Sequence, residues 1–188
     1  MVHRSLLLLL ACLALPLRAQ VAAPADWRAE TFKFPLAFAP SIPYEGTEHV
    51  RFAPYWTDFG SDRGFTYVFL WDIKRRALET VEFERALNVY FDGLMEQVTR
   101  GRKIADPGTV TSSALNPMAA PAGWDAGSSG RLWTWNGFAK GEALVLHLEV
   151  THRACGADRS QVFFAFSKAD RNQPAWKELR DIRTATAC

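Results

Sequence analysis

Alternating side chains in the stretch from Gly64 to Arg102 predict the central elements of the fold. Successive side chains of a strand point to opposite faces, and both faces of residues 65–73 are mainly apolar. We therefore expect a central strand that is covered on both sides. One face carries a ladder of rings, namely Phe65, Tyr67, Phe69 and Trp71. Each ring can bury roughly 150–250 Å², so the ladder indicates core packing or, alternatively, the floor of a ligand groove.

A helical pattern follows this strand and starts near Val81. Apolar residues recur at three- and four-residue steps over residues 83–98, which predicts an amphipathic helix with a wide apolar stripe. We expect Thr80 to cap its N-terminus and Gly101 to follow its C-terminus. Gly93 weakens a helix by about 1 kcal/mol relative to alanine, and a close approach to the sheet would explain its presence.

Shorter alternating segments predict further strands on both sides of this unit. They are residues 30–34, 48–52, 109–115, 131–136, 143–153 and 161–166. Residues 116–130 are rich in Pro, Ala, Gly and Ser, which indicates a surface loop, and Pro174 can begin a short helix. We predict one α+β domain over residues 20–188. A curved antiparallel sheet packs against one long helix, and the short C-terminal helix closes an edge.

The first 19 residues predict a secretory signal peptide. A basic start, a short apolar run and a small-residue end favour cleavage after Ala19. A transmembrane helix needs about 20 apolar residues. The apolar run here is shorter, and no later segment is long and apolar enough to cross a membrane. A lipoprotein is the alternative, because Leu9-Leu10-Ala11-Cys12 resembles a lipobox. We expect a periplasmic or extracellular protein without a transmembrane segment in its mature form.

Charge and cysteine content narrow the possible partners. Removing the signal peptide takes Arg4 and Arg18, so Lys plus Arg falls from 22 to 20, against 20 Asp plus Glu. A net charge near zero argues against nucleic acid or an anionic membrane surface as a partner. Two cysteines remain, and in an exported chain Cys155 and Cys188 most simply form one disulfide.

Three aromatic segments form a signature. They are Phe34-Pro35-Leu36-Ala37-Phe38-Ala39-Pro40, then Glu45-Gly46-Thr47-Glu48-His49-Val50-Arg51-Phe52-Ala53-Pro54-Tyr55-Trp56, and Tyr67-Val68-Phe69-Leu70-Trp71. Together they resemble a family of uncharacterised exported bacterial proteins over roughly residues 30–95. The resemblance implies an exported domain with an aromatic strand before a helix. It implies no activity and no catalytic residue.

No recognised catalytic or cofactor motif is present. The sequence lacks a Walker A loop, a dinucleotide fingerprint, a Gly-x-Ser-x-Gly elbow and a His-Glu-x-x-His pair. His147 and His152 have opposite parity on one predicted strand, so they face opposite ways and do not predict a metal site. We therefore expect neither a cofactor nor a metal.

Charged residues beside an aromatic loop form the candidate site. Its members are Glu48, His49, Arg51, Trp56, Asp58 and Trp71. A histidine with a carboxylate neighbour can act as a general base, and an arginine can hold a carboxylate or phosphate group. The alternative is a buried Arg–Glu ion pair that only fixes the loop.

Three hypotheses follow for the function. The first is a non-enzymatic binding or interaction domain, which would bind an unknown small molecule or an envelope protein through His49, Arg51, Trp56 and Trp71. The second is a small hydrolase that uses His49 with Glu48 or Asp58. The third is a structural subunit of an envelope complex.

Overall fold

Strands and helices cover most of the part of the chain that the structure describes. The computed structural model describes residues 21–74, 79–104 and 108–188, so the predicted signal peptide and Cys12 lie outside the described residues. The elements in chain order are β1 (Arg28–Lys33), β2 (Gly46–Phe52), β3 (Tyr67–Ile73), α1 (Thr80–Arg102), β4 (Ser112–Met118), β5 (Ala126–Trp135), β6 (Ala143–Ala154), β7 (Ser160–Ser167) and α2 (Pro174–Ala185).

The strands form a seven-stranded antiparallel sheet in the order β1-β2-β3-β7-β6-β5-β4. Strand β3 lies inside the sheet and pairs with β2 on one side and with β7 on the other. In β3, Asp72 alone is not buried. The α+β fold and the central strand that the alternation predicts are therefore confirmed.

Helix α1 covers one face of the sheet. Phe69 and Trp71 of β3 are 0% exposed and belong to the same core cluster as Phe83, Leu87 and Phe91 of the helix. The Phe69 and Phe164 ring centroids lie 4.6 Å apart across the β3–β7 pair. The aromatic ladder is therefore core packing between the sheet and the helix.

Helix α2 covers the opposite face. Trp176 and Leu179 are buried with Val68, Leu70 and Phe163, which have the other parity in their strands. The prediction that this helix closes an edge of the sheet is wrong, because the second apolar face of β3 and β7 also needs cover from water. Pro174 begins the helix as predicted.

A disulfide and a buried ion-pair network hold the C-terminal segment. The Cys155–Cys188 bond joins Cα atoms 5.6 Å apart, which confirms the predicted pairing. Glu149 of β6 accepts hydrogen bonds from Arg180 Nη2 at 2.6 Å and from Arg183 Nη1 at 2.8 Å. The α2 helix therefore forms ion pairs with β6 and also packs on β7.

Two details of α1 differ from the sequence prediction. Glu79, and not Thr80, is the N-cap residue, and its backbone N–H donates to Glu82 Oε2 at 3.0 Å. Gly101 lies inside the helix, and Lys103 takes the left-handed conformation at its end with φ of 56°. The Glu82 side chain therefore satisfies the backbone donor of the N-cap residue, as in a capping box whose cap is a glutamate.

At Gly93, helix α1 passes close to the backbone of the loop between β1 and β2. A Cβ at this position would lie 1.8 Å from the carbonyl oxygen of Phe38. The helix therefore meets the loop between β1 and β2, and not the sheet as the sequence predicted.

The predicted surface loop at residues 116–130 is wrong over much of its length. Strand β4 runs to Met118, and β5 begins at Ala126. A Cβ at Gly130 would lie 1.8 Å from the carbonyl oxygen of Ala114 on the paired strand. The small residues therefore allow close strand pairing.

Helix α1 also shields the outer edge of β4. Backbone N–H groups of this strand donate to two helix carboxylates: Leu115 to Glu84 Oε1 at 2.6 Å, and Thr111, just before the strand, to Asp92 Oδ1 at 2.7 Å. These side chains take the place of a neighbouring strand, and they hold the helix over the β4 side of the sheet.

Candidate functional site

Strand β2 directs the predicted site residues to opposite faces of the sheet. Glu48 faces α1 and is 0% exposed, whereas His49 and Arg51 have the other parity. His49 Nδ1 lies 3.4 Å from Thr31 Oγ1, and Arg51 Nη1 donates to Val50 O at 2.8 Å. The structure therefore brings His49 and Arg51 to one face but separates both from Glu48.

The other predicted residues are also dispersed. Trp71 is fully buried beside Glu48, while Asp58 is exposed in the loop before β3. Trp56 is half-buried in that loop and packs on Phe52 and Phe138, with ring centroids 4.7 and 5.4 Å away. Desolvation of the partly buried Arg51 lowers the pKa of its guanidinium.

Glu48 is a buried carboxyl group that joins three elements. Its Oε2 accepts a hydrogen bond from Trp71 Nε1 at 2.6 Å, and its Oε1 accepts one from the Tyr90 hydroxyl at 3.0 Å. Desolvation raises the pKa of Glu48 to about 7, although these two hydrogen bonds act to lower it. Burial therefore moves the titration of Glu48 toward neutral pH.

A cavity of about 210 Å³ opens on the α1 face of the sheet. It is bounded by the β1, β2 and β3 strands and by the C-terminal half of α1. Eight of its 13 lining residues are aromatic, among them Phe52, Trp56 and Tyr67. Helix α1 is bonded to the β4 side of the sheet through Glu84 and Asp92, and on the opposite side loop residues such as Phe38 and Phe138 complete the cavity.

Two charged residues of β1 stand among the lining residues of the cavity. Arg28 Nη2 lies 3.1 Å from Glu30 Oε1, and the two side chains are 57% and 35% exposed. The Arg28 guanidinium carbon also lies 4.7 Å from the Phe52 ring centroid and 5.3 Å from that of Trp56. The cavity therefore combines an aromatic interior with a charged rim on the outermost strand.

Tyr90 connects the cavity to Glu48. Its ring lines the cavity, and its hydroxyl donates to the carboxyl group. Burial, together with the charge of Glu48, raises the pKa of the Tyr90 and Tyr67 hydroxyls well above the usual value. Both hydroxyls therefore stay neutral, and the Glu48 carboxyl lies one side chain behind the cavity wall.

Sequence reasoning found Trp56 of this cavity but missed the charged rim. Arg28, Glu30 and Phe32 are spaced two residues apart, so the sequence alone indicates that they share one face of the strand. The sequence does not show that β1 is the terminal strand of the sheet, where this face borders the opening of the cavity.

Within the described ranges, no three His, Cys, Asp or Glu side chains are placed to hold a metal ion. None of the described helices has the length and hydropathy of a membrane span. Comparison with known proteins gives no match, whether to a family model, to a curated protein or to a solved structure.

Proposed function

We propose that this protein is a non-catalytic binding domain that holds a small, mainly apolar molecule in the aromatic cavity beside α1. The observation that carries the proposal is the cavity itself, with eight aromatic residues around about 210 Å³. Ligand sites in proteins are typically concave, mostly apolar and equipped with a few polar groups. The volume is below the about 300–1,000 Å³ of drug-sized sites, so the ligand is a single ring or a short branched chain.

An exported location belongs to the same proposal. The Cys155–Cys188 bond supports it, because disulfides persist in oxidising compartments. The signal peptide at residues 1–19 and the resemblance to exported bacterial proteins stay predictions.

His49, Arg51 and Trp71 do not line the cavity and have no part in this proposal. A small hydrolase that uses His49 with Glu48 or Asp58 stays a prediction, as does a structural subunit of an envelope complex. The hydrolase gains no support from the placement of Glu48 and His49, since they lie on different faces of β2.

A fragment screen observed by NMR tests the proposal. Small aromatic and branched aliphatic molecules should shift the indole N–H signal of Trp56, which lines the cavity, and leave Trp176 on the other face unchanged. A panel that leaves Trp56 unshifted would overturn the proposal.

A matched pair of helix variants locates the binding. Leu94→Phe adds volume at a lining residue, whereas Val89→Phe adds it at a half-buried position that does not line this cavity. We expect fragment binding to be lost in the first variant and kept in the second. Equal binding by both variants would place the fragments elsewhere.

A further inference from the structure

Among the described residues, the buried carboxyl group behind the cavity has only neutral hydrogen-bond donors around it. Glu48 is 0% exposed, and it accepts from the indole of Trp71 and the hydroxyl of Tyr90. Among the ion pairs of the described residues, none includes Glu48. A buried carboxylate without a cation is costly, so a positive charge that enters the neighbouring cavity would stabilise it.

The rings of the cavity already accept a cation from the chain itself. Arg28 places its guanidinium over Phe52 and Trp56, at 4.7 and 5.3 Å from their centroids. These distances lie within the about 6 Å at which a cation is attracted to the face of an aromatic ring. These ring faces therefore attract a cation, and an incoming ammonium group would replace the exposed Arg28 side chain on them.

Glu30 adds a second negative charge to the same side. It lines the cavity, and its charge contributes to raising the pKa of both Glu48 and Tyr90. Arg28 is more exposed than Glu30 and is paired with it. A cation in the cavity would reduce the repulsion between Glu30, which lines it, and Glu48 behind it.

We infer that the cavity takes a small organic cation, in which an ammonium group carried on an apolar body packs against the rings and is balanced by Glu30 and Glu48. This inference rests on the proposed function and names the ligand class of the same site. Aromatic rings with nearby carboxylates are a suitable environment for alkylated ammonium groups.

Binding of such a cation is coupled to the protonation of Glu48. The charged and titratable groups around this carboxyl are Glu30 of β1, Tyr67 of β3 and Tyr90 of α1. Both tyrosines stay neutral, and Glu48, with a pKa of about 7, changes charge near neutral pH. A bound cation favours the carboxylate, so its affinity rises as pH increases through 7 and levels off above it.

A pair of isosteric molecules separates charge from shape. Benzyltrimethylammonium and its neutral carbon isostere, 2,2-dimethylpropylbenzene, are titrated against the folded, disulfide-bonded protein at pH 6 and pH 8. We expect the cation to bind about tenfold tighter at pH 8, the full change that linkage to a group of pKa about 7 allows. The isostere should bind more weakly at pH 8 and show no pH dependence.

Two acidic variants complete the test. Glu48→Gln should abolish the pH dependence of cation binding, whereas Glu30→Gln should weaken binding and keep the dependence. Equal affinity for the two molecules, or a pH dependence that survives in Glu48→Gln, would overturn the inference. If Glu48→Gln does not fold, the Glu30→Gln variant and the neutral isostere still test the inference.

The outcome also distinguishes this inference from the proposed function. If neither molecule binds while the fragment panel still shifts Trp56, the ligand class is wrong and the binding domain stands. If the panel also fails, both are overturned.

Discussion

The Tyr90 hydroxyl on helix α1 donates a hydrogen bond of 3.0 Å to the Glu48 carboxyl on strand β2. This bond crosses from the helix layer to the sheet in the core beside the cavity. Because Glu48 also accepts from Trp71, one carboxyl group joins β2, β3 and α1. Glu48 thus satisfies two buried donors and also places a titratable carboxyl group in the protein interior.

Stability should depend on pH through Glu48. Its folded pKa of about 7 lies above the ordinary value of 4.5, so the folded state holds the proton more tightly. The favourable contribution of protonated Glu48 to the free energy of unfolding is complete below pH 4.5 and is lost as pH rises to about 7. We expect wild type to lose on the order of 3 kcal/mol over this range relative to Glu48→Gln, measured by urea unfolding at several pH values.

Tyr90→Phe serves as the companion to this measurement. The Tyr90 hydrogen bond lowers the pKa of Glu48, so its removal should raise that pKa further and extend the loss of stability to higher pH. Parallel curves for wild type and Glu48→Gln would show that Glu48 is not the titrating group.

The disulfide should account for a large part of the net stability. The Cys155–Cys188 bond closes a loop with a sequence separation of 33. Loop closure of this length constrains the unfolded chain by about 3–4 kcal/mol. The Cys155→Ser, Cys188→Ser double variant should unfold at correspondingly lower denaturant concentration. A midpoint that does not change would contradict this expectation.

Two helix glycines should respond to alanine with opposite signs. At Gly93 a Cβ would meet the Phe38 carbonyl oxygen at 1.8 Å, whereas at Gly101 it would meet nothing within 4 Å. Gly101→Ala should therefore stabilise the protein by up to about 1 kcal/mol. Gly93→Ala should destabilise it despite the better helix propensity of alanine. Thermal unfolding of both variants checks this, and a gain in melting temperature for Gly93→Ala would refute the close approach.

Loss of Glu149 should be more damaging than loss of an exposed acid on α2. Glu149 pairs with Arg183, whose side chain is 9% exposed. Glu149→Ala leaves that guanidinium buried without its partner, which typically costs about 3–5 kcal/mol. Asp181→Ala removes a pair with Lys177 in which the side chains are 80% and 62% exposed, and it should cost less than about 1 kcal/mol. Similar unfolding midpoints for the two variants would contradict this difference.

The fold was largely predictable where periodicity is strong. The alternation in β3 and the three- and four-residue steps in α1 directly report which faces are buried. The prediction of a loop at residues 116–130 was wrong because small residues are common both in loops and in closely paired strands. Gly130 is paired with Leu115 and lies against the Ala114 carbonyl, and this β4–β5 pairing lies far beyond any local sequence window.

The site was less predictable because it depends on long-range register. Glu48 and His49 are neighbours in sequence, but strand alternation separates them. Glu48 meets Trp71 because these residues are paired between β2 and β3. It meets Tyr90 because α1 packs over that pair. The sequence contains the residues but not the register that brings them together.

The two carboxylates of α1 that accept hydrogen bonds from the β4 segment have a consequence for self-association. Fibrils grow when a sheet offers free backbone donors and acceptors on both of its margins. Glu84 and Asp92 occupy two backbone donors at the β4 margin, so a strand added there would have to displace these carboxylates. The two carboxylates therefore hinder edge-to-edge association of native molecules at this margin.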